Sequence, residues 1–273
     1  MVSSPIKYHG GKSYLASRIV GIMPPHTHYV EPFAGGLSVM LAKDPEGVSE
    51  VANDLDSLLT RFWGVLAEPN LFRRFQRIVE ATPFSQDVWE RAGETLRKEL
   101  DPDEPFEGSE YVAAAFFVRC RQSLAGRMNA FASLSRNRTR RGMNEQVSAW
   151  LTAIEGLPEV HARLKRVVIL NRPAVDVIRS EDGPSTLFYL DPPYLKETRT
   201  APEVYAHEMS EGQHRELLAT ILQCKGKVML SGYRSALYDE VLGGWTRHDF
   251  DLANHAAGGG NKRRMTECLW CNW

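Results

Sequence analysis

Residues 28–54 constrain the fold more than any other stretch. His28-Tyr29-Val30-Glu31 reads as a short strand that runs into Pro32-Phe33-Ala34-Gly35-Gly36. The helical SVMLAK follows, then a second strand, Glu50-Val51-Ala52-Asn53-Asp54, ending in polar residues. Strand, glycine turn, helix, strand is the opening of a doubly wound α/β sheet. Ahead of it, SYLASRIVGIM is helix-like, and Pro24-Pro25 ends it because proline cannot continue the hydrogen-bond ladder.

From residue 58 to residue 164 the chain turns helical. SLLTRFWGVL, NLFRRFQRIVEA and VSAWLTAIEGL repeat apolar residues at three- and four-residue spacing. Between them DPDEPFEGSE, with two prolines and a glycine, reads as an acidic loop. The α/β pattern then resumes with strands at 167–170 and 187–190, a helix at 214–224 and a strand at 227–231. Glycine-rich AAGGGNKRR followed by MTECLWCNW suggests a closing hairpin that adds an antiparallel strand. The expected organisation is one α/β domain, residues 1–57 and 165–273, interrupted by a helical domain, residues 58–164. No internal repeat or low-complexity tract interrupts it.

A chain of 273 residues is long enough for this plan. Hydrophobic residues at 43% and charged residues at 25% suit a globular protein. There is no apolar run of about 18 residues, so no membrane span is expected. MVSSPIKYHGGKSY lacks the apolar core of a signal peptide. Cys120, Cys224, Cys268 and Cys271 are too few for a disulfide scaffold, and a reducing cytoplasm is the simplest setting. Net charge is only −1, but it is unevenly spread. Residues 68–110 hold eleven acids; residues 111–144 hold none, and seven arginines. Such segregation can build a basic face on a neutral protein, although a solvated helical surface gives the same run.

Three motifs carry chemistry. In the first, Gly35 and Gly36 let the backbone approach a nucleoside closely, and Asp54, nineteen residues after Gly35, can bridge two ribose hydroxyls. Glu31 and Phe33 flank this turn. There is no G-x-G-x-x-G and no phosphate-binding lysine pattern, so a nucleoside without a pyrophosphate fits better than a dinucleotide. The second is Asp191-Pro192-Pro193-Tyr194, at the carboxyl end of a strand, where open α/β sheets bind ligands. The Asp191 carboxylate and a stiffly held proline carbonyl offer two acceptors to one NH₂ group. They select an amino nitrogen and reduce conjugation of its lone pair. Tyr194 offers a flat face to a purine. A base inside a duplex cannot reach such a pocket unless it is flipped out. The third, Lys7-Tyr8-His9-Gly10-Gly11-Lys12, can wrap the amino-acid end of a cofactor, with Lys12 near its carboxylate. A plain turn before a helix accounts for these residues as well.

Taken in order, PIKYHGGK, YVEPFAGGLSVML, VANDLD, LFYLDPPY, SGYRSALY and ECLWCNW resemble the DNA adenine methylase family, the alpha-group N6-adenine methyltransferases, particularly bacteriophage and prophage members. The segment RCRQSLAGRMNAFASLSRNRTRRGMNEQVSAW resembles the phage-type members too. The resemblance implies a Rossmann-like S-adenosylmethionine-dependent domain with an inserted helical target-recognition domain. It implies that Tyr8, Lys12, Phe33, Gly35 and Asp54 contact S-adenosylmethionine, joined in our reading by Gly11, Glu31 and Asp191. It implies further that Asp191 and Pro192 hold the target amino group while Tyr194 stacks on a flipped adenine in double-stranded DNA. Transfer would be direct, without metal or covalent intermediate, in a monomer of a bacterial or phage-infected cytoplasm. Restriction–modification, replication marking and phage defence all remain open as roles. Two positions depart from the family: Tyr8 stands where tryptophan is frequent, and Pro173 where an acid is usual, with Asp176 three residues on.

Arg119, Arg121, Arg127, Arg136, Arg138, Arg140 and Arg141 are the candidates for DNA contact. Cys268 and Cys271 have zinc-ligand spacing, but no second ligand pair accompanies them, and in a strand residues three apart face opposite ways. Gly258-Gly259-Gly260 with Lys262, Arg263 and Arg264 suits a hairpin turn slightly better than a basic loop near DNA. Competing functions are an amino-cytosine or RNA-adenine acceptor and a DNA-binding module without catalysis. Asp191 favours adenine, because serine is frequent there in amino-cytosine enzymes. The intact Gly35, Asp54, Asp191 and Tyr194 argue for an enzyme.

Overall fold

The structure is a computed structural model that describes residues 2–8, 10–100, 108–132, 138–198, 207–253 and 264–273. In chain order the elements are α1 (Ala16–Val20), β1 (His28–Glu31), α2 (Ser38–Ala42), β2 (Ser49–Asn53), α3 (Ser57–Ala67), α4 (Pro69–Glu80) and α5 (Gln86–Glu99). Then come α6 (Ser109–Arg121), β3 (Thr139–Arg140), β4 (Met143–Asn144), α7 (Glu145–Glu155), α8 (Leu157–Leu164) and β5 (Val167–Leu170). The last are α9 (Ala174–Glu181), β6 (Thr186–Leu190), α10 (Glu211–Ile221), β7 (Lys227–Gly232), α11 (Ala236–Val241), β8 (Thr246–Ala253) and β9 (Arg264–Cys271). They pack as two compact units, one of Met1–Met23, Gly35–Glu46 and Asp56–Asn171, the other of Pro24–Ala34, Gly47–Leu55 and Arg172–Trp273.

The first unit is mainly helical, and its helices start where the sequence supplies caps. The Asp56 carboxylate accepts from the amides of Leu58 and Leu59 to begin α3, and Glu68 with Pro69 begins α4. Helix α6 packs against α3, α4 and α5. It is buried from Val112 to Val118 and again at Cys120. Phe62, Phe75, Phe116, Phe117 and Trp150 form one aromatic cluster around it, with Phe62 and Phe117 stacked at 6.1 Å. Burying each such ring contributes about 1.5–3 kcal/mol. The lack of acids after residue 110 therefore starts in a core helix and not on a basic surface. Ser109 and Glu110, read as loop, form the first turn of α6; residues 101–107 of that acidic stretch lie outside the described residues. Helix α1 is shorter than its apolar pattern suggests and closes at Gly21, whose N–H returns to the carbonyl of Ser17.

The second unit holds a sheet with strand order β2-β1-β6-β7-β9-β8. β2, β1, β6 and β7 are parallel, and β9 inserts antiparallel between β7 and β8. Each residue of β6 is buried, as a central parallel strand requires. The expected antiparallel addition from residues 265–273 is present as β9; the glycine-rich stretch before it lies outside the described residues. Helices α9 and α11 and strand β8 had no clear signature in the sequence.

Candidate active site

Parallel strands end at one edge of a sheet, so β1, β2 and β6 deliver their carboxyl ends together. Three acids stand there: Glu31 closes β1, Asp54 follows β2 and Asp191 follows β6. Glu31 is buried and accepts from the Tyr29 hydroxyl at 2.7 Å. Burial and the Glu31 charge hold the Tyr29 hydroxyl well above its ordinary pKa, so it stays a donor. Phe33 and Asp54 are half-buried. The Asn53 amide donates to the carbonyls of Pro32 at 2.9 Å and Arg172 at 3.0 Å, and its oxygen accepts from Arg172 N at 2.9 Å. Ala34 N in turn donates to Asn53 O at 2.8 Å. Asn53 thus ties the turn after β1 to the end of β2 and fixes where Asp54 begins. Pro173, the departure from the family pattern, caps α9, and Asp176 in its first turn is exposed, 3.8 Å from Arg179.

Asp191 and Pro193 are half-buried, and Pro192 and Tyr194 are buried. The Tyr194 hydroxyl lies 2.5 Å from Glu267 Oε1 and 3.2 Å from Asp191 Oδ1. Burial, then the charges of Asp191 and Glu267, raise its pKa well above the ordinary tyrosine value, so it is a neutral phenol. The half-buried Tyr233 meets the Tyr194 ring edge-to-face, centroids 4.7 Å apart. Neither Glu267 nor Tyr233 nor Asn53 was singled out from sequence. Glu267 did leave a trace: an acid next to the apolar CLWC strand is the kind of residue that is buried only with a partner.

Of the residues nominated for the cofactor, Tyr8, Gly11, Lys12 and Gly35 belong to the first unit and Glu31, Phe33, Asp54 and Asp191 to the second. In the first unit Gly35 has φ +46°, a left-handed backbone that favours glycine. A Cβ there would sit 3.5 Å from the Tyr8 ring, and one on Gly36 would sit 3.3 Å from Tyr8 Cβ. Gly35 is favoured by its backbone conformation, and Gly36 by the close approach of Tyr8. The indole of the buried Trp63 donates to Gly35 O. Lys12 is buried and its Nζ donates to Gly10 O at 2.9 Å. His9 lies outside the described residues. A pocket of about 370 Å³ opens beside the turn, lined by Lys7, Tyr8, Gly11, Gly36, Ser38 and Arg121. Burial and the neighbouring Arg121 charge lower the Lys7 pKa, and burial pushes Arg121 down to about 10.

The candidate arginines divide by environment. Arg119 lies 3.5 Å over the Trp89 ring and donates to the carbonyls of Trp89 and Met128. Arg121 donates to Ala149 O at 2.6 Å. Arg141 makes a two-armed pair with Glu155, both bonds 2.9 Å. Arg127, Arg138 and Arg140 are exposed, Arg138 lying 3.9 Å from Glu145. Arg136 lies outside the described residues. Arg140 and Arg141 sit on the β3–β4 hairpin, whose turn residues Arg141 and Gly142 both have positive φ (55° and 74°), as a two-residue turn needs. Cys268 and Cys271 are buried along β9. Among the described residues no group of three or more His, Cys, Asp or Glu is placed to hold a metal, and no helix is long and apolar enough to cross a membrane.

A mostly parallel sheet with acids at the carboxyl ends of adjacent strands and a glycine turn after the first fits a Rossmann-like methyltransferase. A family model, D12 class N6 adenine-specific DNA methyltransferase, matches residues 8–252, and the chain belongs to that family. It is an S-adenosylmethionine-dependent enzyme that methylates the N6 amino group of adenine in DNA. No curated protein sequence matches it significantly.

Proposed function

We propose that Asp191, Pro192, Pro193 and Tyr194 form the catalytic pocket for an adenine rotated out of double-stranded DNA. The Asp191 carboxylate and the Pro192 carbonyl accept from the two hydrogens of the N6 amino group. This pulls the nitrogen lone pair out of conjugation and makes it a nucleophile. Pro193 stiffens the loop, and the Tyr194 ring gives the extruded base an aromatic wall. The observation carrying this reading is the placement of Asp191 at the carboxyl end of β6, beside the ends of β1 and β2.

S-adenosylmethionine would be held by Tyr8, Gly11, Lys12, Glu31, Phe33, Gly35, Asp54 and Asp191. The donor set fits its chemistry. Carboxylates match ribose hydroxyls and an ammonium group, the aromatic rings match a flat base and a sulfonium cation, and the glycine turn permits close backbone approach. When bound, the cofactor supplies an electrophilic methyl group.

The helical segment 58–164 would act as the target-recognition domain. Its DNA contacts rest most on Arg127, Arg138 and Arg140, whose guanidinium groups are exposed, and least on Arg119, which is engaged by its own unit. The deciding experiment is direct reading of modified bases in DNA from cells expressing the protein. N6-methyladenine at a defined sequence is the expected result. Methylated cytosine, or methylation of RNA alone, would overturn the reading.

A further inference from the structure

We propose that Glu267 is a positioning residue for methyl transfer, which keeps the catalytic Asp191 available by accepting the hydrogen bond of the Tyr194 hydroxyl. The inference rests on the reading of Asp191 as the acceptor for the target amino group. A phenol has one proton to donate, and the Tyr194 hydroxyl faces two carboxylates. The Glu267 oxygen at 2.5 Å lies in the range of a charge-assisted O–H···O⁻ bond; the Asp191 oxygen at 3.2 Å is beyond the usual O–H···O range. The hydroxyl therefore donates its hydrogen bond to Glu267. The Tyr194 oxygen then turns lone pairs, not hydrogen, toward Asp191 Oδ1.

Without Glu267 the same hydroxyl would turn to Asp191. A donated phenol hydrogen would occupy and weaken the acceptor that must draw on the amino group of the base. It would also let the Tyr194 ring shift. The fold commits Glu267 to this contact. Glu267 is 2% exposed, and β9 is bonded on both sides, with Phe250 opposite Glu267 on β8 and Gly232 opposite the next residue on β7. Tyr194 is closed in by Tyr233 on one side. A carboxylate placed so deeply needs a strong donor, and the phenol provides one.

The test is a mutant cycle on kcat with saturating DNA and cofactor, using Glu267→Leu, Tyr194→Phe and the double variant. Glu267→Leu should lower kcat about tenfold or more, the scale of one lost hydrogen bond at the reacting centre. The KM for DNA and the Kd for S-adenosylmethionine should stay within about twofold of wild type. Tyr194→Phe removes the competing hydroxyl, so the double variant should recover activity relative to Glu267→Leu alone. Unchanged kcat in Glu267→Leu, or a double variant no better than Glu267→Leu, would overturn the proposal. Should Glu267→Leu not fold, Glu267→Gln serves, because a neutral amide holds the phenol less firmly. It should then cost activity with Tyr194 present and none with Phe at 194, and equal losses in both would overturn the proposal. The methylated base in the wild-type reaction reports separately on the acceptor. A wrong acceptor appears there, whereas a wrong role for Glu267 appears only in the ratios between variants.

Discussion

The indole nitrogen of Trp63 donates to the carbonyl oxygen of Gly35 at 3.1 Å, so a core residue of α3 holds the glycine turn from below. Gly35 is held at positive φ, and the Tyr8 ring rests against it. Replacing Trp63 with phenylalanine keeps most of the packing but leaves the carbonyl without this donor. The expected cost is about 1 kcal/mol of stability, and about a fivefold rise in the Kd for S-adenosylmethionine. Calorimetric binding and a denaturant melt check both. Cofactor affinity equal to wild type would show that the turn does not depend on this bond.

Asp191→Ala removes the carboxylate at the end of β6 without emptying a core site, since the residue is half-buried. Methyl transfer should fall by about a thousandfold or more, while S-adenosylmethionine binding largely persists. Transfer of labelled methyl groups to DNA, beside a binding isotherm, separates the two effects. Near-wild-type transfer in this variant would remove Asp191 from the mechanism.

The exposed and engaged arginines should behave differently. Arg138→Ala with Arg140→Ala should weaken DNA binding and flatten its salt dependence, the logarithmic slope dropping by about 0.9 for each phosphate that is no longer neutralised. The melting temperature should hardly move. Arg119→Ala should instead lower stability by about 1–3 kcal/mol, because stacking on Trp89 and two hydrogen bonds to carbonyls go with it. Binding titrations across a salt series decide the first case, and an unchanged slope would rule out phosphate contact at Arg138 and Arg140.

Burial pushes the Cys268 and Cys271 thiols up to about 12, with Asp249 adding to the effect at Cys268. In the unfolded chain a thiol titrates near about 8.5. The native state therefore keeps protons that the unfolded state releases. This contribution to stability is complete below about pH 8.5 and is lost progressively as pH rises towards about 12. Urea midpoints should fall from neutral pH to about pH 10, and the fall should be shallower when both cysteines are alanine. A flat profile in the wild type would contradict it.

What the sequence made legible was local. The strand, glycine turn and helix around Gly35 are adjacent in the chain, so their spacing alone announced them. Asp191 was visible because a buried strand stops abruptly at an acid. Asn53 was hidden because its partners Pro32 and Arg172 lie 21 and 119 positions away. Glu267 was hidden for the same reason, its phenol being 73 positions distant. Helix α6 misled differently. It is buried nearly all round, so it lacks the amphipathic period that distinguishes a core helix from an arginine-bearing face. Arg119, at its end, stands among the candidates for DNA contact, yet it packs on Trp89.

Strand β9 is later in the chain than both of its neighbours, yet it lies between them. It pairs with β8 as a local antiparallel neighbour, Ala253 standing opposite Arg264, whereas β1 reaches across the chain to β6, His28 standing opposite Thr186. Pairing between segments close in sequence forms faster than long-range pairing, so β8 and β9 come together ahead of the β1–β6 pair. Glu267 travels on β9. The partner of Tyr194 therefore arrives on a locally paired set of strands, and competence for methylation waits on their docking against β7.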